Sequence, residues 1–268
     1  PSRVFRVSVR MKLYGRYFSI HLRSAMQYPA SFWMTFFGQF LTAFSAFLSI
    51  YFLFDRFHAV EGFTYQEVLL CFASVMLSFS FCECFFRGFD RFPSLLGNGQ
   101  FDRILIRPRS TIFQVLCAQM DFSRLGKFLQ AVLVFCYAIP ASGVEWTWPR
   151  VLTLCGMLLG GVAIFAGLFL FYAGASFFTI EGLEVLNIFI YGGREFGSYP
   201  AVIYGKAILK FWTFVIPMAM IQYYPLLFLL GRTDSVWNAL SPLATLLFLV
   251  PAYLFWRFGL RHYRSTGS

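Results

Sequence analysis

The sequence predicts an all-α polytopic membrane protein with six transmembrane helices, and three observations carry that reading. Of the 268 residues 59% are hydrophobic and only 13% charged, with a mean hydropathy of +0.66 and 37 Phe, a composition outside the soluble globular range. Long uncharged runs recur between short polar segments. One charge near the bilayer centre costs roughly 2.5 to 3.5 kcal/mol on insertion scales, so those runs mark the spans. The 22 Lys and Arg also gather in alternate connections, as a fixed membrane topology requires.

Residues 3–23 alternate Arg with apolar groups. Val4, Val7, Met11, Tyr14 and Phe18 share one helical face, and Arg3, Arg6 and Arg10 form a neighbouring stripe. This reads as an amphipathic helix lying in the headgroup layer, with a disordered basic tail as the alternative. The apolar run after it is too long for a signal peptide, so this N-terminus is expected to be retained. Ser24 to Phe54 is the first and longest uncharged run, and Val68 to Cys82, between Glu67 and Glu83, is the second. Phe128 to Val144 is the uncharged part of a third helix expected to begin at Thr111, where the sequence TIFQ matches a capping box. Arg150 and Glu181 bracket the fourth span, Lys210 and Arg232 the fifth, and Asp234 and Arg257 the sixth. At about 20 residues per crossing, six spans fit.

The fifth span contains Pro217 and Pro225, each of which removes a backbone hydrogen bond. It is therefore expected to be kinked or re-entrant near its outer end, with its irregular backbone covered by protein or open to a cavity. Glu181 to Lys210, with Gly192, Gly193, Gly197 and Pro200, reads as a cytoplasmic connection. No connection reaches the ~50 residues of a small domain. The chain is thus one transmembrane domain: 1–23 interfacial helix, 24–86 spans one and two, 87–110 cytoplasmic segment, 111–257 spans three to six, and 258–268 cytoplasmic tail.

Six basic residues precede the first span, seven fall in 87–127, three in 194–210 and three in the tail, against Arg56, Arg150 and Arg232 in the alternate connections. The positive-inside rule puts both termini and segment 87–110 in the cytoplasm. The net charge of +10 is thus explained by topology and contact with membrane lipid, and no nucleic-acid partner is expected.

The six Cys sit in apolar runs without CxxC spacing, and the three His are scattered without HExxH, so no metal site is expected. No GxxxxGK[ST] is present, and Gly126-Lys127 and Gly205-Lys206 lack the loop that would hold phosphate. No clustered Ser, His and Asp set suggests catalysis. This chain is expected to have no cofactor and no enzyme activity of its own. Glu83 with Arg87, and Asp121 with Arg124, are spaced for local ion pairs at span ends. A second reading places Gln114, Asp121 and Arg124 on one helical face, lining the cytoplasmic mouth of a pathway. The Phe load either builds a cavity for a hydrophobic or amphiphilic substrate or faces lipid.

Two windows carry a resemblance. Gly99 to Leu116, GQFDRILIRPRSTIFQVL, follows the pattern Gly-x-[Phe/Leu]-Asp-x-[Ile/Leu]-Leu-x-[Lys/Arg]-Pro after the second span. Tyr199 to Pro225, YPAVIYGKAILKFWTFVIPMAMIQYYP, contains Val215-Ile216-Pro217 and Tyr223-Tyr224-Pro225. Both resemble the six-span permeases of ABC-2 type transporters, and the likeness in length and hydropathy covers most of the chain. Arg109 departs from the small or apolar residue expected after Pro108. The resemblance implies a permease subunit, an exporter in the inner membrane of a prokaryote, paired with a second permease, identical or related. Two ATP-binding cassette ATPase subunits would bind the ATP and Mg. It further implies that segment 87–110 includes the coupling helix seated on the ATPase, with Phe101, Asp102, Arg103, Ile104, Leu105, Arg107 and Pro108 as contact residues. In the residues themselves, Phe101, Ile104 and Leu105 form an apolar anchor ringed by charge. Contact of Arg103, Arg107 and Arg109 with anionic lipid is the alternative. The candidate pathway residues are Gln114, Asp121, Arg124, Pro217, Tyr223, Tyr224 and Pro225. An ATP-independent carrier or a membrane scaffold remains the alternative function.

Overall fold

The computed structural model describes residues 3–57, 59–60, 62–179 and 183–264, apart from the side chains of 3–12, 59–60 and 202. The Arg3, Arg6 and Arg10 stripe, Glu181 and the tail beyond 264 thus lie outside the described residues. Fourteen helices follow in order among the described residues: α1 Arg3–Ala25, α2 Pro29–Phe57, α3 Tyr65–Phe85, α4 Arg87–Asp90, α5 Phe92–Gly97, α6 Gln100–Leu105 and α7 Thr111–Ala118, then α8 Leu125–Ala141, α9 Trp148–Ala175, α10 Glu184–Gly197, α11 Lys206–Phe214, α12 Ala219–Leu229, α13 Val236–Ala244 and α14 Leu249–His262. A two-residue strand pair, β1 Ala59–Val60 with β2 Phe63–Thr64, joins α2 to α3. Among the described residues five helical stretches are long and apolar enough to cross a membrane: α2, α3, Phe122–Ala141, α9 and Val236–His262. The pair α11 and α12, bent by 110°, makes the sixth only if counted as one broken span. The protein is an all-α, multi-pass membrane protein.

Helix α3 is the central strut. Its sequence is apolar on every face, and it is buried almost throughout from Val68 to Cys84, against α8 on one side and α9 on the other. Its hydroxyls are satisfied locally, Ser74 Oγ donating to Leu70 O at 2.8 Å and Ser78 Oγ to Ser74 O at 3.0 Å and Leu158 O at 3.1 Å. Gly161 permits that last approach, since a Cβ there would stand 2.5 Å from Ser78 Oγ. The first turn of α3 is closed by Thr64 N donating to the Glu67 carboxylate at 2.8 Å. By contrast, α2 crosses with most of its surface exposed. The end of the bundle bearing α4 to α7 is here termed the base, and the end bearing the strand pair, Glu67 and Arg232 the top.

Four expectations change. The third helix does not run from Thr111: α7 ends at Ala118, and α8 starts after a 3-10 turn, Phe122–Arg124. Asp121 makes the break, its carboxylate accepting from Ser123 N at 3.2 Å and Ser123 Oγ at 2.5 Å in place of helical continuity. Nor does Gln114 close a capping box, for its amide donates to Ile104 O and Arg109 O, both at 3.1 Å.

The segment read as a cytoplasmic connection is instead largely a packed helix. In α10, Ile190, Gly193, Phe196 and Gly197 are buried. By Gly197, whose carbonyl accepts from Cys71 Sγ at 3.4 Å, the chain lies against the upper half of α3. The charges within it are self-paired: Arg194 bonds Glu195 while its guanidinium lies 5.3 Å from the centre of the Phe79 ring. Tyr204, just before Lys206, also packs against Phe196 near this level, so Lys206 does not sit at the base. Finally, the expected tail is helical to His262 and folds back on α6 through Tyr263.

Candidate functional site

At the base, α4, α5 and α6 fold across the lower ends of the long helices. Phe101 has no exposed surface: its ring meets Phe92 at 5.0 Å, Tyr263 at 5.1 Å and Phe177 at 5.5 Å between centroids. Trp256 closes the cluster against Phe92 at 4.9 Å and Phe177 at 5.1 Å. The Asp102 carboxylate accepts from Tyr263 OH at 3.0 Å, and Ile104 is buried. Phe101 and Asp102 thus fix α6 to Phe177 and Tyr263, which follow α9 and α14. Phe101 and Ile104 do not form the exposed anchor expected of them. Burying an aromatic ring against three others contributes more than leaving it in water, and two of those rings, Phe177 and Tyr263, come from distant parts of the chain.

What remains exposed is a compact patch. Ile106 is 82% exposed and Leu105 41%, flanked by exposed Arg103, Arg107, Pro108 and Arg109. Ile106 was not among the candidate residues, although its position beside Leu105 in an arginine-rich segment was a readable signal.

A charged cluster lies at the lower end of α3. Glu83, fully buried, holds Lys127 Nζ at 3.1 Å and Arg124 Nη1 at 3.3 Å. Arg124 in turn reaches Asp121 at 3.3 Å and Gln39 Oε1 at 3.2 Å. The expected Glu83 to Arg87 pair is replaced, because the chain leaves the α3 spiral at Phe86 and Arg87 bonds Asp90 at 2.7 Å instead. Burial pushes the Asp90 carboxyl above its ordinary pKa, and the Arg87 guanidinium opposes that shift. With α7 and α8 separate, Gln114 does not share one helical face with Asp121 and Arg124.

The second region is the break between α11 and α12. Their 110° bend falls at Val215 to Met218, where Pro217 lacks an amide hydrogen and Met218 N turns back to Ile216 O at 2.6 Å. Pro225 lies inside α12 and buried, so it does not form the break. A cavity of about 670 Å³ opens beside the bend, bounded by α9, α10, α11 and the α13–α14 arm. Of the candidate pathway residues Pro217 borders this cavity, while Tyr223, Tyr224, Gln114, Asp121 and Arg124 do not. Tyr224 instead meets Thr213, hydroxyl to hydroxyl, at 3.4 Å. At the top, Arg232 Nη2 ties α12 to the start of α3, with Glu67 Oε2 and Gly62 O both at 2.8 Å. Among the described residues no group of three His, Cys, Asp or Glu is gathered as a metal site would need.

Neither curated proteins nor solved structures gave a match to this chain. A family model described as ABC-2 family transporter protein matches residues 40–267, from within α2 to beyond the end of α14 and including both the base segment and the broken pair. The chain therefore belongs to the ABC-2 family of transporter proteins, as a membrane-spanning permease subunit that works with an ATP-binding cassette subunit.

Proposed function

We propose that this permease exports a hydrophobic or amphiphilic substrate, with its base in the cytoplasm of a prokaryotic cell and two ATP-binding cassette subunits seated there. The observation that carries this reading is the patch of Leu105 and Ile106 ringed by Arg103, Arg107 and Arg109 on a braced helix. An apolar anchor with a charged rim suits a small docking surface. Through Phe101 and Tyr263, a push on α6 reaches α9 and α14 directly. ATP and Mg belong to the ATPase. An uncharged cavity beside the broken helix supports an apolar substrate. A second permease, identical or related, completes the pathway. The exposed face of α2 supports such pairing, with Ser31, Thr35, Gly38, Thr42, Ser45 and Ser49 at alternating spacings of four and three.

The test separates docking from bracing. Leu105→Ala with Ile106→Ala should weaken ATPase retention by about 2 kcal/mol, or roughly 30-fold, and leave the unfolding temperature unchanged. Phe101→Ala should lower the unfolding temperature, at a cost of about 3–5 kcal/mol. Both are measured in detergent free of anionic lipid. Full retention and substrate-coupled hydrolysis in the double variant would assign the patch to lipid contact instead. Transport by the permease alone, driven by a proton or sodium gradient, would point to a carrier.

A further inference from the structure

Helix α11 carries two lysines at a depth where the bilayer offers them no water. The bend that sets its direction is level with the middle of α3: a Cβ on Gly197 would stand 2.9 Å from the Val75 side chain and 3.2 Å from that of Met218, and Val75 is the eleventh of the 21 residues of α3. From there α12 climbs beside α3, with Cys71 Sγ donating to Gln222 Oε1 at 3.2 Å and Arg232 bonded to Glu67 at the top. The 110° bend lays α11 nearly at right angles to that climb. Its nine residues cover about 14 Å but rise only about 5 Å along the α12 axis, so Lys206 and Lys210 stand well inside the roughly 15 Å between mid-plane and headgroups.

Both lysines are exposed, and among the described residues neither is in an ion pair. Four residues apart, they project from one face about 6 Å from each other, where like charges repel. A second element repeats the pattern. Glu195 of α10, its side chain 60% exposed, sits near the same depth, and Tyr204 OH donates to its backbone carbonyl at 3.4 Å, which fixes the start of α11 beside it. Its carboxylate is held by Arg194, which leaves the lysines in excess.

Ionisable groups at this depth face water or other charge, because hydrocarbon does not solvate them. A second copy of this chain brings no acids to answer them. Its described acids lie at the top, at the base or, as Glu83, buried, apart from the same Glu195 held by the same arginine. The face therefore meets water, and fixed cations of one sign in a cleft with low-dielectric walls concentrate anions.

We propose that Lys206 and Lys210 bind the anionic head group of the amphiphile that the permease exports, in a water-filled space near mid-membrane. Phe214, 80% exposed and one turn beyond Lys210 on the same face, gives that stripe an apolar end. The proposal rests on the reading of the chain as an exporter of an amphiphilic substrate.

The permease with its ATPase is placed in phosphatidylcholine nanodiscs, with the exposed Cys136 and Cys155 replaced. Ala207→Cys, exposed between the lysines, is treated with membrane-impermeant methanethiosulfonates, one anionic and one cationic, with and without ATP. Both should react, and the anionic reagent should be favoured several-fold over its preference at Ser142→Cys. Lys206→Gln with Lys210→Gln should remove that preference, and Lys206→Arg with Lys210→Arg should keep it, the ATPase co-purifying with both. Decyl phosphate below its micelle concentration should slow the reaction several-fold, and decyltrimethylammonium should not. An unreactive Ala207→Cys, an absent charge preference, or protection by inorganic phosphate as strong as by decyl phosphate would overturn the proposal. Labelling is read apart from ATP hydrolysis, so ATP-coupled export with an unreactive Ala207→Cys would remove this site alone. A reactive, protected site in a permease driven by an ion gradient without its ATPase would remove the exporter reading and leave the head-group site standing.

Discussion

Glu83 sits with no exposed surface between two cations, 3.1 Å from Lys127 Nζ and 3.3 Å from Arg124 Nη1. Removing one partner of a buried pair costs about 3–5 kcal/mol, because the other charge is left uncompensated, whereas removing both can be nearly neutral. Glu83→Gln should therefore lower the unfolding temperature markedly, and adding Lys127→Met should restore part of the loss. Thermal unfolding of the single and double variants in detergent measures that coupling. A double variant that loses the sum of the two single losses would show no coupling. The sequence placed Glu83 and Lys127 near span ends but not together, since 44 residues separate them and only the packing of α3 on α8 joins them. The pair it did reveal, Asp121 with Arg124, is three residues apart and needs no tertiary contact.

Helices α2 and α8 test packing at the level of elements. A Cβ on Gly126 of α8 would stand 2.1 Å from the Phe36 carbonyl oxygen of α2, so Gly126→Ala forces the two helices apart. Overpacking of this kind costs about 1–3 kcal/mol, to be read as a lower unfolding temperature of the permease alone. Gly38 of α2 has nothing within 4 Å of such a Cβ and faces away from the bundle. Gly38→Leu should leave that temperature in place and shift native mass spectra toward single permease copies. A pairing that survives Gly38→Leu would assign the α2 stripe to lipid. Span lengths were legible because uncharged runs report the bilayer directly, and the bend was legible because Pro217 cannot donate, but it falls at the end of α12 away from Arg232 and not near the outer end. The packing of α10 was not legible. Its Gly192, Gly193 and Gly197 read as part of a connection, and the mutual bond of Arg194 and Glu195 and the Phe79 ring let those charges lie within the bundle.

For the molecule as a whole, topology decides which end meets the ATPase. Ser94 lies exposed in α5 at the base, and Ser142 follows α8 at the top. In intact cells, with the exposed Cys136 and Cys155 replaced, a membrane-impermeant maleimide should label Ser142→Cys and spare Ser94→Cys. The reverse pattern would invert the protein and remove the base patch from the ATPase. Lys206 and Lys210 no longer support the charge asymmetry, because α11 begins near the level of Phe196 and Cys71. The basic residues before α2 and across 87–127 still do.

By itself the sequence determined the all-α membrane class, the order of the spans, the proline break and the family likeness of the base segment. Each of these follows from local quantities: runs of apolar residues, a missing amide hydrogen and the sign of nearby charge. Only the tertiary structure decided that Phe101 braces while Ile106 is presented, that Glu83 answers Lys127, and that α10 lies within the bundle. Those outcomes depend on which distant faces meet. An aromatic ring or a carboxylate has the same local sequence signature whether its partner is water or a side chain brought in from another helix.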